Sequence, residues 1–173
     1  MARHGERVGC RAYSGTVTQR QLVFEQDFDL PRAIVWDGLV DPDLVSGWLG
    51  EARITAVPGG AYHLGWLGSV DFPGTEGAIT HLSPPERLTV VTAAHGELDF
   101  QLSEVPGGSR DTSTRLRLTV TLEIDAAFEP RVRANWAGSL RQLVGLLRGH
   151  PVDWKRDQVE VRSASPEHDT GRR

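Results

Sequence analysis

Three histidines, His63, His81 and His95, fall in strand-like surroundings and are the side chains best suited to act as bases near neutral pH. Adjacent antiparallel strands can bring two of them together. No His-x-x-x-His or Cys-x-x-Cys spacing points to a metal, and the single cysteine, Cys10, has no partner for an internal disulfide. Neither a Gly-x-Ser-x-Gly elbow nor a phosphate-binding Gly-Lys-Ser/Thr loop occurs, so serine-hydrolase and nucleotide-hydrolysing chemistry have no support. The acids sit on the polar positions of alternating segments or in turns, which is poor provision for acid/base or covalent work. The pattern implies no cofactor and favours binding over catalysis.

One uncharged polar residue stands out. Gln26 lies between Phe24 and Phe28 with the same parity, so its amide is expected to point into the core. An unpaired amide there would cost about 1–3 kcal/mol. A backbone group, an ordered water or a polar group of a ligand would satisfy it.

The elements that must position these residues follow from periodicity. Gln21 to Leu30 alternates, with Leu22, Phe24, Phe28 and Leu30 on one face, and reads as a half-buried strand. Pro31 suits the first turn of a helix carrying Ile34, Val35, Trp36, Leu39 and Val40. Asp41-Pro42 starts a second short helix, with Asp41 as its cap, running towards Trp48 and Leu49 and stopped by Gly50. Strands are expected over 52–57, 61–66, 77–82, 87–94, 97–105 and 114–124, joined by short Gly- and Pro-containing turns that imply an antiparallel meander. In the last of them Leu116, Leu118, Val120, Leu122 and Ile124 share one face, opposite Arg115, Arg117, Thr119, Thr121 and Glu123. A helix from Glu129-Pro130 to Arg148 closes the order, about 28 Å long at 1.5 Å per residue. Val132, Trp136, Leu140, Leu143, Val144 and Leu147 form its apolar face. Gly138 and Gly145 on it call either for close packing or for space left for a ligand.

The chain has 173 residues and a formal net charge of −4. Residues 1–20 and 155–173 are poor in large apolar side chains and are expected to be mobile tails around one domain, residues 21–154. That domain holds 10 basic and 18 acidic residues, a net of −8, so it should repel nucleic-acid backbones. No run approaches the roughly 18 apolar residues of a membrane span, and no signal peptide is evident, so the expected location is cytoplasmic.

Several motifs carry a resemblance. They are Pro31-Arg-Ala-Ile-Val-Trp36, Leu39-Val-Asp-Pro42, Trp48-Leu-Gly50, Val57-Pro-Gly-Gly60, Gly77-Ala-Ile79, Ser83-Pro-Pro-Glu-Arg-Leu88 and Trp136-Ala-Gly-Ser-Leu140. In order and spacing the chain resembles the START-like (SRPBCC) superfamily, and within it the homologues of the activator of the ninety-kilodalton heat-shock ATPase. Two positions depart from that pattern: Thr92 stands where the family usually has tryptophan, and Asn135 where a glycine usually precedes Trp136.

The resemblance implies an α+β helix-grip fold, with a curved antiparallel sheet of about seven strands around a long C-terminal helix and two short helices after the first strand. It also implies an internal cavity for a hydrophobic small molecule such as a polyketide, lipid or aromatic natural product. Carriage, sequestration or antibiotic self-resistance would be the role. Candidate ligand-binding residues are Gln26, Phe28, Leu64, Thr92, Phe100 and Leu102 on strands, and Trp136, Leu140 and Val144 on the helix. Trp48, Tyr62 and Trp66 are placed at the cavity mouth. A polyketide cyclase or aromatase, with His81 or Tyr62 active, is the alternative; regulation of a chaperone partner, a heat-shock ATPase, is a third.

Overall fold

The computed structural model describes residues 16–65, 74–107 and 112–150. Seven strands and three helices follow one another in the expected order. Strand β1 (Val17–Phe28) leads into helix α1 (Arg32–Val40) and helix α2 (Pro42–Ser46). Strands β2 (Glu51–Ile54), β3 (Tyr62–Gly65), β4 (Gly77–Ser83), β5 (Arg87–Thr92), β6 (Gly96–Val105) and β7 (Ser113–Asp125) come next. A single 3-10 turn, Ala126–Phe128, delivers the chain into helix α3 (Glu129–Leu147).

The seven strands divide into an antiparallel sheet in the order β1-β7-β6-β5-β4 and a separate β2-β3 hairpin. Single bridges, Ala61 to Ala78 and Leu64 to Thr75, link the hairpin to the larger sheet. The first strand begins at Val17, so residues 17–20 belong to the sheet and not to an N-terminal tail. They are held by backbone pairing with 122–125 of β7, a source of order that composition does not reveal. Residues 1–15 and 155–173, the remainder of the expected tails, lie outside the described residues.

Local chemistry explains the element ends. The Asp41 carboxylate accepts from the Asp43 and Leu44 amides at 2.9 and 3.2 Å, and Pro42 occupies the first turn of α2. That helix stops at Ser46, short of Trp48, while α1 starts one residue after Pro31. The Thr114 hydroxyl donates to the Leu30 carbonyl at 2.8 Å, fastening the bend between β1 and α1 to the sheet.

One face of the sheet is dry. Leu22 and Phe28 of β1, Leu88 and Val90 of β5, Leu98, Phe100 and Leu102 of β6, and Leu116, Leu118 and Val120 of β7 are buried with Trp136, Leu140 and Leu143 of α3. Burying a side chain of this size contributes roughly 1.5–3 kcal/mol. The opposite face carries ion pairs, among them Arg115 with Asp27 at 2.7 Å and Arg87 with Asp99 at 2.8 Å. Burial pushes the Asp99 carboxyl up, but hydrogen bonds from Arg87, Gln101 and Thr89 outweigh it and hold it below the usual carboxylate range.

Gly138 and Gly145 do not serve close packing. A Cβ at Gly138 would meet nothing nearer than Arg141 Nη2 at 4.0 Å, and at Gly145 only the His150 carbonyl at 3.5 Å. The glycines that admit α3 lie on its neighbours: a Cβ at Gly38 would stand 3.1 Å from Leu143 Cδ1, and at Gly47 2.9 Å from Leu146 Cδ1.

Candidate functional site

Burial on the dry face fades towards the C-terminal end of β7. The inward positions Leu116, Leu118 and Val120 are fully enclosed, but Leu122 and Ile124 are only half-buried. The reason lies in the register. Opposite Leu122 and Ile124, β1 supplies Arg20 and Thr18, both exposed, where its apolar pattern has not yet begun. Helix α3 starts at the same end, so its first two turns cross a sheet edge that lacks apolar cover.

A cavity of about 350 Å³, open on one side, occupies this place. Its apolar wall is Leu122 and Ile124 of β7, Phe128 at the helix entry, and Val132 and Trp136 of α3. Phe128 is 50% exposed. Ala94 and His95, in the turn between β5 and β6, form the facing wall. The His95 ring stands edge-on to the Trp136 indole, with centroids 5.9 Å apart and planes at 78°. Burial pushes the His95 imidazole below its usual value, so the ring is neutral at neutral pH.

The His95 turn is fixed from three directions. The Thr92 hydroxyl accepts from the His95 amide at 3.0 Å and donates to the Gly96 carbonyl at 3.3 Å. The buried Thr75 hydroxyl accepts from the Ala94 amide at 3.0 Å, and the Ala93 amide donates to the Glu76 carbonyl. Gly96 has φ +70°, and a Cβ there would fall 2.2 Å from the Thr121 carbonyl oxygen, so only glycine brings the turn this close to β7.

Among the expected ligand-binding residues, Trp136 borders this cavity. Thr92 is not in the lining and reaches it only through the turn, its hydroxyl being engaged with backbone. Leu64, Phe100 and Leu140 lie in the core, whereas Phe28 and Leu102, also buried, border cavities of about 300 and 390 Å³. Val144 is half-buried and, with Phe28, Leu30 and Leu147, lines a second cavity of about 300 Å³ at the other end of α3. Gln26 keeps the expected parity but is only half-buried, and its amide nitrogen donates to the Asp27 carbonyl at 3.0 Å, so it has a partner near the strand edge.

Trp48 and Tyr62 are not at a cavity mouth. Both are fully buried, where the Trp48 indole N–H donates to the Gly38 carbonyl at 2.8 Å and the Tyr62 hydroxyl to the Leu39 carbonyl at 2.9 Å. They satisfy carbonyls at the end of α1 that its own helix leaves unpaired. Burial raises the Tyr62 phenol far above its usual value, which makes it a poor proton donor. Trp66 lies outside the described residues.

His81 is exposed beside an irregularity in β4, and His63 pairs with Glu76 at 2.8 Å away from the cavity. Among the described residues no cluster of three or more His, Cys, Asp or Glu is placed to hold a metal ion. Nor is any described helix long and apolar enough to cross a membrane.

Sequence reasoning passed over Phe128, Arg131 and Ser139 as site residues, and it took Leu122, Ile124 and Val132 for ordinary core. The available signal was a mismatch: the apolar alternation of β7 runs through Ile124, whereas that of β1 starts only at Leu22.

The family model for Activator of Hsp90 ATPase homolog 1-like protein matches residues 29–148. The chain belongs to that family. Solved structures of the same START-like fold include protein NE0264 of Nitrosomonas europaea, 18% identical over 75% of this chain and 94% of that one, with a TM-score of 0.62. CalU16 of Micromonospora echinospora is 22% identical over 87% and 97% of the two chains, with a TM-score of 0.58. DynU16, a protein of the dynemicin biosynthetic locus, is 19% identical over 76% of this chain and 48% of its own, with a TM-score of 0.59. No curated protein matches the chain. In this Hsp90-activator-like member one cavity lies at the mouth of the grip, where α3 begins, and another of about 300 Å³ lies at the far end of α3.

Proposed function

We propose that the protein binds a hydrophobic small molecule between the first turns of α3 and the end of β7, for carriage or sequestration. The observation that carries this reading is the apolar wall of Leu122, Ile124, Phe128, Val132 and Trp136 around a cavity of about 350 Å³. That volume falls within the roughly 300–1,000 Å³ of small-molecule pockets. A half-exposed phenylalanine at its rim is the kind of apolar surface that a ligand would cover. No carboxylate or thiol lines it among the described residues, which favours holding a molecule over transforming it. The occurrence of a structural neighbour in the dynemicin biosynthetic locus fits a natural-product ligand.

The test is a chemical-shift and thermal-shift screen of the full chain against a broad panel of lipophilic and aromatic compounds. The expected result is binders that raise the melting temperature and move the amides of Ala94, His95, Val132 and Trp136. A panel that leaves those amides unmoved would sink the reading.

A cyclase-type activity has one observation in its favour: His95, neutral and set against Trp136, is an imidazole within the cavity wall. His81 and Tyr62 are remote from that wall, so turnover of a polyketide substrate would depend on His95. Loss of turnover in His95→Gln with binding retained is its expected sign.

A further inference from the structure

Helix α3 meets the cavity with two adjoining stripes. Phe128, Val132 and Trp136 form the apolar one; Arg131, Asn135 and Ser139 form a polar one, each four residues after the last and so on one side of the helix. All six line the same space. The polar stripe runs from exposed Arg131 and Asn135 to half-buried Ser139, so it leads from solvent inward.

None of its three side chains has a hydrogen-bond or ion-pair partner among the described residues. Arg133, on another side of α3, pairs with Glu129 at 2.9 Å, and on the outer sheet face Arg87, Arg115 and Arg117 pair with acids. No acid is among the lining residues, although Glu123, Asp125 and Glu129 neighbour them in the chain. Within the lining, Arg131 is the charged side chain, accompanied by neutral His95. It sits in the first turn of α3, where the positive end of the helix adds the same sign.

We infer that the ligand is an apolar, flat molecule with an acidic group at one end, whose carboxylate or comparably acidic oxygen pairs with Arg131 while further oxygens along one edge meet Asn135 and Ser139. This names the ligand class for the site above and rests on that reading. Residues four apart on a helix are separated by about 6 Å along its axis, so the stripe suits oxygens repeated at that interval along a molecule about 12 Å long. Arginine suits a carboxylate through its two parallel N–H donors.

The experiment compares 9-anthracenecarboxylic acid with its neutral near-isostere, 9-anthracenecarboxamide, by calorimetry on the full chain at pH 7. It uses wild type, Arg131→Gln and the charge-retaining Arg131→Lys. Wild type should prefer the acid by about tenfold, as expected for one charge-assisted pair at a partly wet site. Arg131→Gln should abolish that preference while leaving carboxamide affinity within about twofold, and Arg131→Lys should keep part of it. Raising the salt concentration should erode the preference in wild type alone.

Equal affinity for the two compounds, or an acid preference that survives in Arg131→Gln, overturns the inference. If the carboxamide binds with shifts at Val132 and Trp136 but the acid is no tighter, the binding reading stands and the acidic ligand falls. If neither compound binds while others of the lipophilic panel do, the inference alone is overturned; if the whole panel fails, both are.

Discussion

The two ends of α3 are built on opposite principles. At its C-terminal end Leu143 and Leu146 press on α1 and α2 through Gly38 and Gly47, and the neighbouring Trp48 and Tyr62 spend their polar atoms on backbone carbonyls. At its N-terminal end Leu122 and Ile124 are half covered, Phe128 is half exposed, and Arg131, Asn135 and Ser139 point at empty space. The same helix thus packs against α1 and α2 at one end and borders the proposed binding cavity at the other. The difference teaches that a gripped helix needs only part of its length for stability.

Substitutions at the closed end should therefore lower stability and leave ligand affinity alone, and those at the open end the reverse. The largest effect is expected from Leu143→Ala, which removes a fully buried side chain packed on Gly38: about 2–5 kcal/mol less stable by urea denaturation. A loss under 1 kcal/mol would mean that this end is looser than described. Tyr62→Phe strands the Leu39 carbonyl in the core and should cost about 1–3 kcal/mol, with unchanged affinity for any cavity ligand. A fall in affinity at equal stability would return Tyr62 to the site.

His95 gives the open end a pH signature. Its folded-state value lies below the usual 6.5, so the unfolded chain takes up the proton first. The stability it contributes is present above about pH 6.5 and is lost as pH falls from there through the depressed value. Urea melts between pH 7.5 and 5 should show part of this slope disappear in His95→Gln; an identical slope in the variant would mean that the ring is already well hydrated. Gly138→Ala, where an added Cβ would meet nothing nearer than 4.0 Å, should stabilise by about 0.5–1 kcal/mol without touching binding. The smallest effect belongs to Gln26→Leu, for which no change in ligand affinity is expected; a changed ligand preference would extend the site along β1.

Much of the fold was legible because burial imposes a period. The alternation of β7, the three-and-four spacing of α3 and the Asp41-Pro42 start of α2 are local patterns, and each stands where its period puts it. Parity also placed Gln26 on the inner face, but parity cannot say how deep a position lies, and Gln26 sits near the strand edge with its amide on Asp27. Tyr62 and Trp48 show a second limit. A large aromatic with a polar tip reads equally as a cavity wall or a core staple until the carbonyls of Gly38 and Leu39 are seen beside it. The cavity depends on long-range register, which sets exposed Arg20 and Thr18 opposite half-buried Leu122 and Ile124. Two segments about a hundred residues apart must be aligned before that gap can be noticed.

The register of β1 on β7 has an evolutionary consequence. The cavity is bounded by strand ends, a helix entry and one hairpin turn, positions that bear little of the load carried by the closed end. A smaller residue at Phe128 would widen the opening without touching the buried core. A scaffold that binds as proposed can drift from one guest to another by changes at its rim, keeping its architecture while its chemical preference diverges.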